Sequence, residues 1–391
     1  MALLKTSSVV IYCFLLLPIF EQRYPKKVCS LDEPADLQEL ESKNTSVSSS
    51  DVLYTYLAKI NTALNTPYAK YIIRNIAEPD KAASHYQRFG AETLRVITIS
   101  KSYYENLADN ATDREALLIW ILAHEASHHT HGDIGFDDKI EGKNLIKEIL
   151  ADQRAGYAVG KATNISIDFF DTYLPKILSY TSHTSTHPSR RYRIMAAKGG
   201  WLQAKMENVS DGGTKVIGGV TYKNKLESDG DRVWGEYSNT DMNGIGMTTY
   251  TDGDIYMGNK KDGSKSGYGL YLYKDGASDF SSIFFGKWSN DRINGKGAKY
   301  WLSGDKYEGE FKDSQKNGYG TYYWPSGNKY VGEWANDNMN GYGTLYYTDG
   351  RIFQGLWKDD KRHGQGVLYQ GSTVIQSGCW QNGTHVGETC N

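Results

Sequence analysis

Glycine recurs through the second half of the chain with a fixed period. Anchor glycines stand at Gly235, Gly258, Gly286, Gly309, Gly332, Gly355 and Gly378, at intervals of 23, 28, 23, 23, 23 and 23 residues. Nine residues after each anchor stands another: Gly244, Gly267, Gly295, Gly318, Gly341, Gly364 and Gly387. The one long interval places a five-residue insertion near Ala277 to Ile283. A period this short demands a repeat architecture, in which one small unit is stacked many times and completed by its neighbours. Within a unit, KYVGEW, ANDNMN, GYGTLYY and TDG read as strand, turn, strand, turn, and the N-G and D-G pairs favour tight hairpins. Aromatic residues follow the anchors by two positions, at Tyr237, Trp288, Phe311, Trp334, Trp357 and Trp380. They are expected to stack in a row along one face, with the glycines leaving room for them. Lys260 interrupts that row in the second unit. The array carries no nucleophile, metal cluster or phosphate loop. Its aromatics are expected to be exposed and to contact a protein, a lipid surface or a glycan; the alternative is a passive spacer.

The first half carries the chemistry. Ile119 to Asp133 reads IWILAHEASHHTHGD, with His124, Glu125 and His128 in the order H-E-x-x-H. On a helix, residues four apart share a face, so His124 and His128 aim two imidazoles at one point. Catalytic zinc takes such nitrogen ligands, three protein ligands in all, and leaves a fourth position for water. Glu125 is placed to take a proton from that water as it attacks a carbonyl. Leu117 to Ile121 are apolar, as a buried helix requires. The four letters also arise by chance at a polar helix end, so a third ligand decides. The positions where a metzincin places its glycine and third histidine hold His131 and Ile134, which excludes that class. A gluzincin instead takes a glutamate from a following helix, and Glu148 lies twenty residues after His128 in KEILADQRAGYAVG. Asp152 shares its helical face and suits a carboxylate that holds a ligand imidazole by its other N–H. Ala151, Ala155 and Gly156 are small and are expected to let this helix approach the first closely.

These blocks resemble a known family. HEASHH, then EILAD, then THPSRRYRI at Thr186 to Ile194 resemble the HtpX and CAAX-prenyl-protease family of zinc metallopeptidases, over roughly residues 50 to 205. The resemblance implies one zinc per chain, held by His124, His128 and Glu148, with Glu125 as general base. It places His187 and Arg193 on the family's H-P-S and arginine positions, closing over the zinc. His187 suits a donor to charge developing on the substrate carbonyl, and Arg193 suits an ion pair with Asp152 or another carboxylate; the alternative for both is packing of the loop. The spacing between the second histidine and Glu148 is short for many family members, and the multi-span helices of the prenyl-protease branch have no counterpart. His129 and His131 are read as solvated helix-end residues, with Gly132 ending the helix, and His183 as a surface residue. The array resembles the MORN repeat, the Y-x-G-x-W…G-x-G pattern, in seven copies over about 232–391.

The remaining segments bound the whole. Lys5 precedes an apolar run from Val9 to Phe20, too short for a membrane-spanning helix of about 20 residues. It suits either a cleaved signal peptide or an uncleaved anchor, so the chain beyond about residue 30 is expected outside the cytoplasm. Residues 31–50 read as a polar linker, and Leu53, Leu57, Ile60 and Leu64 share the face of a helix. Leu94 to Ile99 reads as a strand. In the resembling family such a strand lies at the cleft edge, where an extended peptide pairs with it; the alternative is an ordinary core strand. Asn110 to Glu115 offers N-caps for the zinc helix. Residues 206–231 read as a linker or partial repeat. Net charge is −2, which gives no sign of a nucleic-acid partner. Of four cysteines, Cys13 and Cys29 fall in the leader, while Cys379 and Cys390 fall in the last repeat and are expected to pair in an oxidising compartment. Sequons at Asn44, Asn110, Asn164, Asn208 and Asn382 matter only in a eukaryotic secretory host. The expected fold class is α+β multidomain: a helix-rich zincin domain at 51–205, then an all-β array of hairpin repeats. The expected function is a zinc-dependent endopeptidase acting on protein or peptide substrates, with the repeats targeting it to a protein or membrane-surface partner. The competing expectation is an inactive binding or scaffold protein that acts through its repeats.

Overall fold

The computed structural model describes residues 45–46, 52–64, 71–76, 82–89, 92–100, 106, 108–130, 140–178, 187–238, 241–275 and 280–390. The leader at 1–30, His131, Gly132 and His183 lie outside the described residues, as do most of the linker and the side chain of His129. The chain divides into two compact units: Met1–Asp138 with Lys147–Lys225, and Lys139–Ile146 with Leu226–Asn391.

The first unit combines a small sheet with helices. Its strands are β1 (Thr45–Ser46), β2 (Tyr71–Ile76), β3 (Ala82–Phe89) and β4 (Glu92–Ser100), in the order β1-β2-β4-β3. β4 covers the expected strand at Leu94 to Ile99, and it is hydrogen-bonded on both sides, parallel to β2 and antiparallel to β3. It is therefore an interior strand with no free edge to offer a peptide, which corrects the cleft-edge expectation. The helices are α1 (Val52–Ala63), α2 (Ala111–Thr130), α3 (Glu141–Ala162, of which the part from Lys147 belongs to this unit), α4 (Asp168–Ile177) and α5 (Arg190–Met206). Leu53, Leu57 and Ile60 are buried on one face of α1. Asn110 starts α2: its Oδ1 accepts the backbone N–H of Asp113 at 2.8 Å, which satisfies a donor the helix itself leaves unpaired. Every residue from Ala116 to Ala123 is buried, so α2 runs through the core with apolar side chains all round.

α3 and α5 touch backbone to backbone. A Cβ at Gly156 would lie 1.8 Å from the Ala197 carbonyl oxygen, and one at Gly200 would lie 1.7 Å from that of Gln153. No other residue fits at such an approach. Gly156 thus serves the approach of α5, which corrects the expectation that it brings α3 against α2. The contact also sets register. Asp152 and Arg193 each stand four residues before Gly156 and Ala197, so helical periodicity brings them face to face. Within residues 206–231, where a linker or a partial repeat was expected, β5 (Thr214–Ile217) and β6 (Val220–Leu226) pair as an antiparallel hairpin, and its Tyr222 packs on Trp201 at 5.5 Å.

In the second unit, fourteen described strands follow one another as antiparallel neighbours, from β7 (Arg232–Ser238) to β20 (Thr384–Gly387). The period of the sequence is a period of hairpins. Anchor glycines face glycines across the ladder, as in Gly309↔Gly320 and Gly332↔Gly343. A ring stands two residues before five of the seven anchors (Tyr256, Phe284, Tyr307, Tyr330 and Phe353) and lies over the pair: a Cβ at Gly320 would meet Tyr307 Oη at 2.3 Å, and one at Gly343 would meet Tyr330 Oη at 2.2 Å. The aromatics two residues after the anchors do not stack on one another. They alternate edge-to-face with the rings before the anchors: Tyr307–Phe311 5.1 Å, Tyr307–Trp334 5.3 Å, Tyr330–Trp334 5.3 Å, Tyr330–Trp357 5.3 Å and Phe353–Trp380 5.1 Å. Such pairs gain about 0.5–1.5 kcal/mol beyond the area they bury. Trp288, Phe311, Trp334, Trp357 and Trp380 are buried, so the expectation of exposed aromatics at these positions is corrected.

Turns join unit to unit. Asn336 and Asp337, and Asp359 and Asp360, take positive φ, as a two-residue hairpin turn requires. Each second turn residue then reaches back to the previous repeat. Asp337 Oδ1 accepts the Lys316 N–H at 2.9 Å while the Asp337 N–H donates to the Lys316 carbonyl at 3.1 Å; Asp360 does the same with Met339, at 2.7 and 3.2 Å. Cys379 and Cys390 are disulfide-bonded, with Cα atoms 4.9 Å apart, as expected from their place in the last repeat.

Candidate metal centre

Three helices and one loop residue build the site. α2 supplies His124, Glu125 and His128, α3 supplies Glu148 and Asp152, and α5 supplies Arg193, with His187 just ahead of α5. All seven are buried, none more than 4% exposed. The candidate ligand atoms converge. His124 Nε2 lies 3.2 Å from His128 Nε2 and 3.7 Å from Glu148 Oε2, and His128 Nε2 lies 3.4 Å from Glu148 Oε1. His124, His128 and Glu148 form the one group of three metal-ligating side chains among the described residues. Around a tetrahedral zinc with bonds of about 2.0–2.1 Å, ligand atoms stand about 3.3–3.4 Å from one another, so these residues fit that ion.

The surroundings fix the ligands. His124 Nδ1 lies 2.9 Å from Asp152 Oδ1. A proton held there leaves the Nε2 lone pair free toward His128 and Glu148, the tautomer a metal ligand needs. Arg193 clasps Asp152 with two bonds, Nε to Oδ2 at 2.7 Å and Nη2 to Oδ1 at 2.9 Å, a bidentate geometry that holds the carboxylate against rotation. Its Nη2 also lies 3.2 Å from Glu148 Oε2. Glu125 Oε1 stands 3.9 Å from His124 Nε2, and His187 Nε2 stands 3.8 Å from Glu148 Oε1. Trp120, one turn before His124, stacks on its ring at 5.4 Å and 24°. Trp120 reads in the sequence as one more apolar residue; its place four before His124 is the signal for this contact.

Charge completes the picture. Three carboxylates (Glu125, Glu148 and Asp152) and one guanidinium are buried together, a formal −2 when all are ionised, which a divalent cation cancels. Burial opposes the charged form of Glu148, but His187, Arg193, His128 and His124 hold its carboxyl well below the usual carboxylate range. Burial likewise opposes protonation of His124, yet the Asp152, Glu148 and Glu125 carboxylates raise its pKa above the ordinary histidine value. Burial dominates at His187 and pushes it down to about 4. The structure thus brings together every site residue expected from the sequence: His124, Glu125, His128, Glu148, Asp152, His187 and Arg193.

Comparison with known proteins bears on the second unit. The MORN repeat family matches residues 235–255, 256–278, 284–306, 307–329, 330–350 and 353–372. These are six MORN repeats where the glycine pattern suggested seven; the terminal hairpin, Thr373–Gln381 with Thr384–Gly387, continues the ladder beyond the last of them. No curated protein matches the chain. Among solved structures, the chain is similar to the TCP domain of Drosophila melanogaster SAS-4 (dCPAP), solved with a proline-rich motif of Ana2 (dSTIL), at 14% identity and a TM-score of 0.24, covering 41% of this chain and 89% of that one. It is also similar to the TCP10 domain of Danio rerio CPAP, solved with a peptide of STIL, at 13% identity and a TM-score of 0.15, covering 44% of this chain and 92% of that one.

Proposed function

We propose that the first unit is a zinc-dependent peptide hydrolase and that the MORN array is its docking module. The observation that carries the hydrolase is the convergence of two Nε2 atoms and one carboxylate at 3.2, 3.4 and 3.7 Å, beside a further carboxylate that is not needed as a ligand. His124, His128 and Glu148 would hold zinc, which when bound polarises a peptide carbonyl and acidifies water. Asp152 keeps His124 in the ligating tautomer, and Arg193 keeps Asp152 in place. Glu125 takes the proton of the attacking water and passes it to the departing amine. His187, neutral at physiological pH because burial holds its pKa down to about 4, offers an N–H toward the carbonyl oxygen as charge builds there. The Cys379–Cys390 disulfide at the repeat end suits an oxidising compartment, which supports an exported or envelope-associated protein.

A second reading is a binding or scaffold protein that acts through its repeats and cuts nothing. The family match supports it more directly than the hydrolase, since all six matched segments fall within the array. MORN repeats point to a protein partner or a membrane surface.

Zinc content and casein cleavage, with and without chelator, separate the two. Under the hydrolase reading, Glu125→Gln keeps its zinc and loses about 10²–10⁴ in cleavage rate, while His124→Ala and Glu148→Ala lose zinc as well. Zinc-loaded protein that cuts no peptide, or a Glu125→Gln variant that cuts normally, would sink the hydrolase. Deleting residues 232–391 is expected to abolish retention by a partner or membrane; unchanged retention would sink the docking role.

A further inference from the structure

A second set of rings, apart from the buried edge-to-face ladder, runs half-buried along one face of the array. Tyr250, Tyr273, Trp301, Trp324 and Tyr347 each stand fifteen residues after an anchor glycine. The residue thirteen after the anchor fills the interval between one such ring and the next. Tyr271 bridges Tyr250 and Tyr273 at 5.5 and 4.4 Å. Lys299 bridges Tyr273 and Trp301, its Nζ 4.0 and 5.1 Å from the ring centroids. Tyr322 bridges Trp301 and Trp324 at 6.0 and 4.8 Å. Interplanar angles in the ring pairs run from 33° to 49°, so the rings lean on one another along the strip.

In the last interval the bridging residue is Leu345, which has no ring. There the strip opens into a cleft of about 320 Å³ between Trp324 and Tyr347, with Leu345 and the buried Met339 and Trp357 beneath. That volume lies at the small end of the range for ligand pockets. The rim carries two cations, Lys361 and Arg362, and one carboxylate, Asp360, a formal +1. Arg362 is engaged, lying over Trp380 at 4.0 Å and donating to the Gly383 carbonyl, and the Asp360 carboxylate accepts the Met339 N–H at 2.7 Å. Lys361 is exposed beside them.

We propose that this cleft takes an aromatic side chain from an extended, acidic segment of a partner protein. The incoming ring completes the strip between Trp324 and Tyr347, and a neighbouring carboxylate pairs with Lys361. The proposal rests on the array being a docking module and names what it docks. A ring is favoured because every other interval is filled by a ring or by a cation held over rings, arrangements that gain from edge and face electrostatics as well as burial.

The test uses the full chain and three phenols that differ in charge: 4-hydroxyphenylacetate, p-cresol and tyramine, with binding read from the indole N–H resonances of Trp324 and Trp357. The expected order of affinity is anionic, neutral, cationic, with about threefold between steps for a rim charge. Leu345→Tyr puts into the gap the residue that Tyr271 and Tyr322 already are at equivalent positions, so the fold accepts it, and binding should fall at least about tenfold, the cost of losing the stacked ring. Trp324→Leu, which removes one wall, should weaken all three phenols, and Lys361→Glu should invert their order. Absence of saturable binding, or binding unchanged in Leu345→Tyr, overturns the proposal. Phenols that bind the natural chain and not the Leu345→Tyr chain support the cleft whatever the deletion of the array shows about retention.

Discussion

Replacing Gly320 by alanine adds one methyl group where the array has no room for it. The new Cβ would lie 2.3 Å from Tyr307 Oη, 2.6 Å from Cζ and 2.7 Å from Cε2. Tyr307 has nowhere to go. It is fully buried, wedged edge-to-face at 5.1 Å from Phe311 and 5.3 Å from Trp334, and its hydroxyl donates to the Glu310 carbonyl at 3.0 Å. Overpacking of a tight core costs about 1–3 kcal/mol, and loss of the phenol hydrogen bond adds about 1 kcal/mol. The expected destabilisation is therefore about 2–4 kcal/mol. Gly371 provides the control: its φ is +59° and an added Cβ meets nothing within 4 Å, so alanine there costs only the left-handed backbone strain, about 1–2 kcal/mol. Urea unfolding of the full chain, followed by tryptophan fluorescence of the array, measures both. Pairing Gly320→Ala with Tyr307→Leu removes the group the methyl collides with, so the double variant should be more stable than the sum of the singles by about 1 kcal/mol or more. If Gly320→Ala costs no more than Gly371→Ala, or the two changes simply add, the ring over the glycine pair does not hold the repeat together.

Three further outcomes are expected. Asp152→Asn removes the carboxylate that fixes the His124 tautomer and should weaken zinc affinity about 10- to 100-fold, as read by competition with a chromophoric chelator; unchanged affinity refutes the role given to Asp152. Burial, with Lys265 adding to it, pushes Lys260 down to about 8 from its ordinary 10.5, so the unfolded chain binds the extra proton between those values. Array stability should thus rise with pH from about 8 until free tyrosines begin to ionise near 10, Lys260 contributing at most about 3 kcal/mol; Lys260→Met should flatten that rise, and equal slopes for the two proteins would show that the lysine does not titrate as a buried group. Cys390→Ser should lower array stability by about 2–4 kcal/mol, and an unshifted urea midpoint would show the link to be idle.

Much of this was legible because its spacing is enforced locally. The 23-residue period followed from glycines that must stay small under a covering ring, and the candidate zinc ligands followed from one helical turn and the helix that comes after it. What escaped depended on partners distant in sequence. Trp334 looks like a surface anchor in its own segment, and it is buried only because Tyr307 and Tyr330 close on it from two different repeats. Gly156 looked destined for α2, and only the tertiary path of the chain sends α5 to it instead. Leu94 to Ile99 was recognisable as a strand, but strand order, and so whether it has a free edge, is set by pairing with residues up to 24 positions away. Leu345 is unremarkable until the rings on either side of it are seen to have no ring between them.

The clamps between turns also decide how the array meets tension. Each repeat is held by its neighbours, so a pull on the C-terminus should peel hairpins one at a time, each release paying out about 80 Å of contour for a 23-residue repeat. The disulfide changes where that pull is applied. Load entering at Cys390 passes through sulfur to Cys379 in the strand Thr373–Gln381, and bypasses the short strand Thr384–Gly387 altogether. The shortest strand of the array is thereby taken out of the load path, and the first element to bear force is one already laced to the repeat behind it.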